Sequence, residues 1–148
     1  MKKVLYIVIA LGMINTFAGA GWLNLSDKAC DKYGKGTCHL GTAYTCGCRG
    51  SLTRAKKVCR QAGGRLPSYN ELKRVAKSCG VRVTKFGSRT NRAFKDCVRR
   101  KGFWEERYWT KDYTYRHSKE YFVGVHFGDA HKDNMWYSGD NAYIRCIK

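Results

Sequence analysis

The chain has 148 residues, with 29 lysines and arginines against 11 aspartates and glutamates, and 8 cysteines. That length accommodates one domain rather than several. The formal charge of +18 excludes a neutral surface and points to acidic partners.

Lys2 and Lys3 precede an apolar run from Val4 to Met13, and Ala18-Gly19-Ala20 supplies the small residues a signal peptidase accepts. This is the pattern of a secretory signal. Asn15 and Thr16 break the run short of the ~20 apolar residues a membrane-spanning helix needs. Cleavage is expected after Ala20. Residues 21–148 contain no second such run, so a mature protein without a stable membrane span is expected, secreted or periplasmic.

Residues 21–50 are rich in Gly, Thr and Cys and show no sustained apolar period, so a loop-rich, Cys-pinned extension is expected ahead of a domain over 51–148. The eight cysteines are Cys30, Cys38, Cys46, Cys48, Cys59, Cys79, Cys97 and Cys146. An even number in an exported chain reads as a disulfide framework. A zinc site on Cys46-Gly47-Cys48 with Cys30, Cys38 or His39 lacks the paired two-residue spacing of a finger or ribbon, and no metal or cofactor is expected.

Leu52, Ala55, Val58, Cys59 and Ala62 recur at helical spacing with Arg54, Lys56, Lys57 and Arg60 between them, and Gly63-Gly64 is the stop. Ser68 and Glu71 match a capping box. It opens a second helix whose stripe is Leu72, Val75, Ala76 and Cys79 and which Gly80 can end. A third helix is expected over Thr90 to Arg100, with Ala93, Phe94, Cys97 and Val98 inward. The last 46 residues hold twelve aromatics and read as strands. Glu120 to Phe127 alternates, with Val123, Val125 and Phe127 on one face. Tyr143 to Ile147 forms another strand, and Gly128 to Asn134 and Ser138 to Asn141 are turns. Helices first and strands afterwards predict an α+β fold, the helices packed at one side of a small antiparallel sheet.

The charge is concentrated. From Arg49 to Lys101 there are 17 basic residues against only Glu71 and Asp96, whereas the rest of the mature chain is nearly balanced. Such asymmetry implies a basic face. Its expected contributors are Arg54, Lys56, Lys57, Arg60, Lys73, Arg74, Lys77, Arg99 and Arg100. The partners it would suit are acidic or sulfated glycans, lipopolysaccharide or another anionic surface, and nucleic acid.

Ala55 to Cys59, Gly63-Gly64-Arg65-Leu66-Pro67-Ser68-Tyr69-Asn70-Glu71-Leu72, Tyr108-Trp109-Thr110 and Tyr143-Ile144-Arg145-Cys146 together resemble a bacterial C-type-lectin-like domain. The likeness is to the sulfatase-modifying-factor-like branch and to the C-terminal domain of collagen-like adhesins, and it spans 51–148. The resemblance implies a bridge between Cys59 and Cys146. Cys79 then pairs with Cys97, both lying on apolar stripes of neighbouring helices, and the four N-terminal cysteines pair among themselves in one of three ways. The reactive late cysteine pair of the family's oxidising members is missing, because only Cys146 follows Cys97. The calcium-dependent sugar loop is missing too, since Pro67 is the sole mature proline.

Asp129, Asp133, Asn134, Asp140 and Asn141 offer calcium-type oxygens but are equally ordinary turn residues. No nucleophile elbow, zinc-protease helix or phosphate loop is present. Two of His117, His126 and His131 with a lysine would suit acid-base cleavage of RNA, although spacing alone does not bring them together. The expectation is an exported, non-enzymatic, adhesin-like binding protein. The alternatives are a cationic toxin or hydrolase such as a nuclease, and a pilus or surface-assembly subunit.

Overall fold

A computed structural model describes residues 21–23, 25, 35–38, 46–116, 119–136 and 140–148. The expected signal segment, the pairing of Cys30, Cys38 and Cys46, and His117 lie outside the described residues. In chain order the elements are β1 Trp22–Leu23, β2 Lys35–Cys38, β3 Cys46–Gly50, α1 Leu52–Gln61, α2 Tyr69–Ser78, α3 Arg92–Arg100, β4 Arg107–Arg116, β5 Lys119–His126, β6 His131–Trp136, β7 Ala142–Tyr143 and β8 Cys146–Ile147.

The helices form where apolar spacing and caps place them. α1 buries Leu52, Ala55, Val58 and Cys59. At the start of α2 the Ser68 hydroxyl accepts from the Glu71 amide at 3.2 Å, and the Glu71 carboxylate accepts from the Ser68 amide at 2.6 Å. This reciprocal box satisfies two amides that a helix start leaves orphaned. α3 is capped by Asn91, whose side-chain oxygen accepts from the Phe94 amide at 2.9 Å. It buries Phe94 and Val98, but Ala93 is exposed rather than inward. Only the narrow seam through residues 94 and 98 faces the core, and a helical step of about 100° carries Ala93 out of it.

Six strands form one sheet in the order β2-β3-β7-β4-β5-β6, and β1 pairs with β8 in a separate ribbon. The sheet is mixed rather than purely antiparallel, because β7 meets β4 in parallel through Tyr108 and Tyr143. Residues 21–50 are not simply loop. β3 enters the sheet beside β7, and β1 pairs with the chain's last strand. Their residues, Trp-Leu and Cys-Gly-Cys-Arg-Gly, are too short or too glycine-rich to display an apolar period. Tyr143 to Ile147 is likewise two strands, β7 and β8, which belong to different sheets.

The helices do not share one side of the sheet. Adjacent residues of a strand point to opposite faces, and Tyr108 and Trp109 in β4 belong to different buried clusters. Trp109, Phe122 and Met135 pack with Leu52, Ala55, Val58 and Cys59 of α1. Tyr108, Val125 and Phe127 pack with Leu72, Val75 and Ala76 of α2 and with Phe94 and Val98 of α3. The sheet is therefore sandwiched, α1 against α2 and α3. β5 is consequently buried on both faces from Phe122 to Val125.

The expected turn over Gly128 to Asn134 is shorter than that. β6 begins at His131 and pairs with β5 from His126↔His131 to Tyr121↔Trp136. Its His-Lys-Asp-Asn start is turn-like in composition, yet backbone pairing with β5 on one side and a parallel bridge from His131 to Thr84 on the other hold it extended.

Two disulfides stand as expected. Cys59–Cys146 fastens α1 to β8, and Cys79–Cys97 fastens the end of α2 to α3. Cys48 is buried and disulfide-bonded as well.

Candidate functional site

α2 buries Leu72, Val75 and Ala76, and so turns Asn70, Lys73, Arg74 and Lys77 outward, a stripe at i, i+3, i+4 and i+7. After Cys79 the chain reverses. The Val81 amide donates to the Ala76 carbonyl at 3.1 Å and the Gly80 amide to that of Lys77 at 3.0 Å. This pair is a Schellman motif. Its left-handed residue is Gly80, with φ of +85°, where a Cβ would be strained. The reversal brings Arg82 and Val83 back beside the helix. Together they line a cleft of about 480 Å³ with Asn70, Lys73, Arg74 and Lys77.

Four cations thus face one concavity, and no acidic residue is among the described residues lining it. Among the described residues none of the four is ion-paired to a carboxylate. Lys73 and Lys77 are also like charges at i and i+4, an arrangement that costs an isolated helix a few tenths of a kcal/mol. Lys73 is half-buried, its Nζ 5.3 Å from the Tyr69 ring centroid. Arg74 also lines an adjoining cleft with Trp22, Glu71 and Lys101.

The other expected contributors are placed differently. Arg54, Lys56, Lys57 and Arg60 are exposed on α1, and none lines the cleft. Lys56 Nζ lies 5.2 Å from the centroid of the buried Phe122 ring, covering core. Arg99 is engaged by Glu105 and Asp96, and its neighbour Lys95 also pairs with Glu105 at 2.6 Å, so these two cations are matched by carboxylates. Arg100 is exposed and does not line the cleft. Arg82, absent from the expected set, completes the site. Its signal was the glycine at position 80, which returns whatever follows it to the helix.

No protein-family model, curated protein or solved structure matches this chain. The cleft's own chemistry is therefore the guide to its ligand. Arginine presents a planar fork of donors matched to carboxylate, sulfate or phosphate, and lysine a compact point charge. Two of each fill the cleft. Its described lining contains no histidine, carboxylate or hydroxyl, and what these four cations offer a ligand is charge and hydrogen-bond donors.

The aspartates that offered calcium-type oxygens have other partners. Asp133 lies in β6, ion-paired with Arg107 at 3.5 Å, and Asp140 reaches the same arginine at 3.9 Å. Asp129 is instead held by two imidazoles. His126 Nδ1 lies 2.9 Å and His131 Nδ1 2.5 Å from its Oδ1, and the rings stack with centroids 5.1 Å apart. Burial pushes the Asp129 carboxyl up, but the hydrogen bonds from His131 and His126 and their charge outweigh it, so the net shift is downward.

Proposed function

We propose that this is an exported, non-enzymatic binding protein of C-type-lectin-like architecture that engages polyanions, namely acidic or sulfated glycans, lipopolysaccharide or a similarly anionic surface, in an adhesin-like role. The observation that carries this reading is the cleft in which Lys73, Arg74, Lys77 and Arg82 converge with no carboxylate partner among the described residues. Unpaired cations facing one concavity repel one another, and an anionic ligand relieves that repulsion as it binds.

One further feature supports the setting. Cys59–Cys146 and Cys79–Cys97 suit an oxidising compartment. Among the described residues no helix is long and apolar enough to cross a membrane. The Lys2-Lys3 start and the Ala18-Gly19-Ala20 segment supply the export signal in this reading.

The test is retention of the oxidised mature protein on immobilised heparin and on lipopolysaccharide at low salt. Binding that salt abolishes, and that K73E/K77E/R82E abolishes without loss of circular dichroism, is the expected result. Absence of binding at low salt would remove the proposal. Conversion of RNA to acid-soluble fragments by the purified protein would favour the hydrolase reading instead.

A further inference from the structure

The β5–β6 hairpin carries a second constellation that the polyanion cleft does not use. His126 is the last residue of β5 and His131 the first of β6, and the two are direct cross-strand partners. Opposed positions on one face of an antiparallel pair hold side chains within reach of each other. Asp129 stands in the connection between them. One donor atom from each of the three lies within 4.8 Å of the other two.

This arrangement is held from outside the hairpin. The Ser88 amide donates to the Asp129 carbonyl at 2.6 Å and the Thr84 amide to that of Ala130 at 3.1 Å. The Lys132 amide donates to Thr84 at 2.8 Å, and the Thr90 hydroxyl donates to the Gly128 carbonyl at 2.6 Å. Ala130 has φ of +52°, outside the ordinary range of a residue with a Cβ. Gly128 lies so close beneath the imidazole that a Cβ there would come within 2.6 Å of His126 Cε1. The turn geometry is thus set by the 84–90 segment, and the three donors need little reorganisation to act together.

In a chain with 29 lysines and arginines, Asp129 has only the two imidazoles as ion-pair partners among the described residues. Two imidazole nitrogens and a carboxylate oxygen are the donor set of a borderline divalent ion, whereas calcium and magnesium take oxygens. Imidazole nitrogens bonded to such an ion lie about 2.0–2.1 Å from it. Tetrahedral ligands at that distance from an ion lie about 3.3 Å apart, so the Nδ1 to Oδ1 separations of 2.9 and 2.5 Å would widen by about 0.4 and 0.8 Å when an ion replaces the proton between them. All three side chains are partly exposed, at 27%, 56% and 28%, so at least one coordination position would face solvent.

We propose that His126, Asp129 and His131 form a three-ligand site for a divalent first-row transition cation of the zinc type, with its remaining position open to water or to an anionic oxygen of a bound ligand. The ion displaces the protons shared between Asp129 and the two rings, so binding releases protons and weakens as pH falls.

The test is titration of the metal-stripped, oxidised mature protein with zinc alone, by calorimetry, together with cobalt(II) absorption to read the coordination directly. Saturable 1:1 binding with a cobalt d–d spectrum of low coordination number is expected. H126Q, H131Q and D129N should each weaken zinc binding by about 100-fold or more, beyond the range a lost outer-shell partner produces. Each variant's thermal melt is recorded without metal, and if one fails to fold the other two carry the test. No saturable binding at micromolar zinc, or equal binding by the wild type and every folded variant of the three, would overturn the proposal.

Discussion

Cys59 in α1 and Cys146 in β8 are joined across 87 residues, their Cα atoms 5.3 Å apart and both residues fully buried. The bond closes nearly all of the described domain into one loop. By chain entropy such a loop is worth about 4.5 kcal/mol, and the 18-residue loop of Cys79–Cys97 about 3 kcal/mol. C59A/C146A should therefore lower stability in urea more than C79A/C97A does. Alanine is the appropriate replacement, because serine would bury a hydroxyl. Equal losses from the two pairs would show that loop size does not govern their contributions.

Arg65 and Glu71 pair through both carboxylate oxygens, at 2.9 and 2.8 Å, while Glu71 also caps α2. The Arg65 hydrogen bond outweighs the cost of burial and, with the Ser68 amide, draws the Glu71 carboxyl from 4.5 down to about 2. Because folding depresses this pKa, the stabilisation is full above the unfolded value of 4.5 and is lost as pH falls toward about 2. Arg65 is 43% exposed, so solvent screening reduces the pair's worth. E71Q should cost about 1–2 kcal/mol at neutral pH. It should also flatten the acid limb of a stability-against-pH curve between pH 4.5 and 2. An unchanged acid limb would mean that other carboxylates govern it.

The helices were legible because burial imposes a 3.6-residue stripe, and the Ser68–Glu71 box is a local signal that needs no tertiary context. The side of the sheet each helix covers was not. An apolar stripe shows that Leu52, Val58 and Cys59 face a core, but the placement of α1 opposite α2 follows from the alternation of Tyr108 and Trp109 in β4. The basic stripe of α2 was visible as charge. Its convergence with Arg82 depends on the reversal at Gly80, and the pairing of Arg99 with Glu105, beyond its helix neighbour Asp96, depends on the chain's approach to β4. His126 and His131 were seen singly, because a turn running to Asn134 separates them, whereas a strand beginning at His131 places them opposite each other.

Tyr108 is 1% exposed, and its hydroxyl accepts from the Trp104 amide at 2.6 Å. Burial pushes the phenol well above its ordinary value, so it stays neutral and able to accept. Y108F keeps the ring contacts to Phe103, Phe127 and Tyr143, which lie 5.3 to 5.6 Å away between centroids. It removes the acceptor. The expected loss is about 1–3 kcal/mol, toward the lower end because Trp104 is only half-buried. Amide exchange at Trp104 should accelerate more than at Phe94, whose partner Asn91 is untouched. Uniform acceleration would instead indicate a global loss of packing.

The two candidate basic surfaces can be separated by charge reversal. Lys73, Lys77 and Arg82 line the cleft, whereas Lys57 and Arg60 lie exposed on α1, away from it. Lys56 is a poor probe, because its stem covers the Phe122 ring and K56E would disturb packing as well as charge. If the cleft neutralises about four anionic groups, affinity for heparin should fall roughly 100-fold between about 50 and 200 mM salt, by analogy with counterion release from nucleic acid. K73E/K77E/R82E should lower affinity at low salt by at least about that factor and leave a shallower salt slope. K57E/R60E should change affinity only a few-fold, since rim charges act mainly on encounter rate and long-range attraction. Equal losses from the two variants would indicate that net charge, rather than the cleft between α2 and Arg82, attracts the polymer.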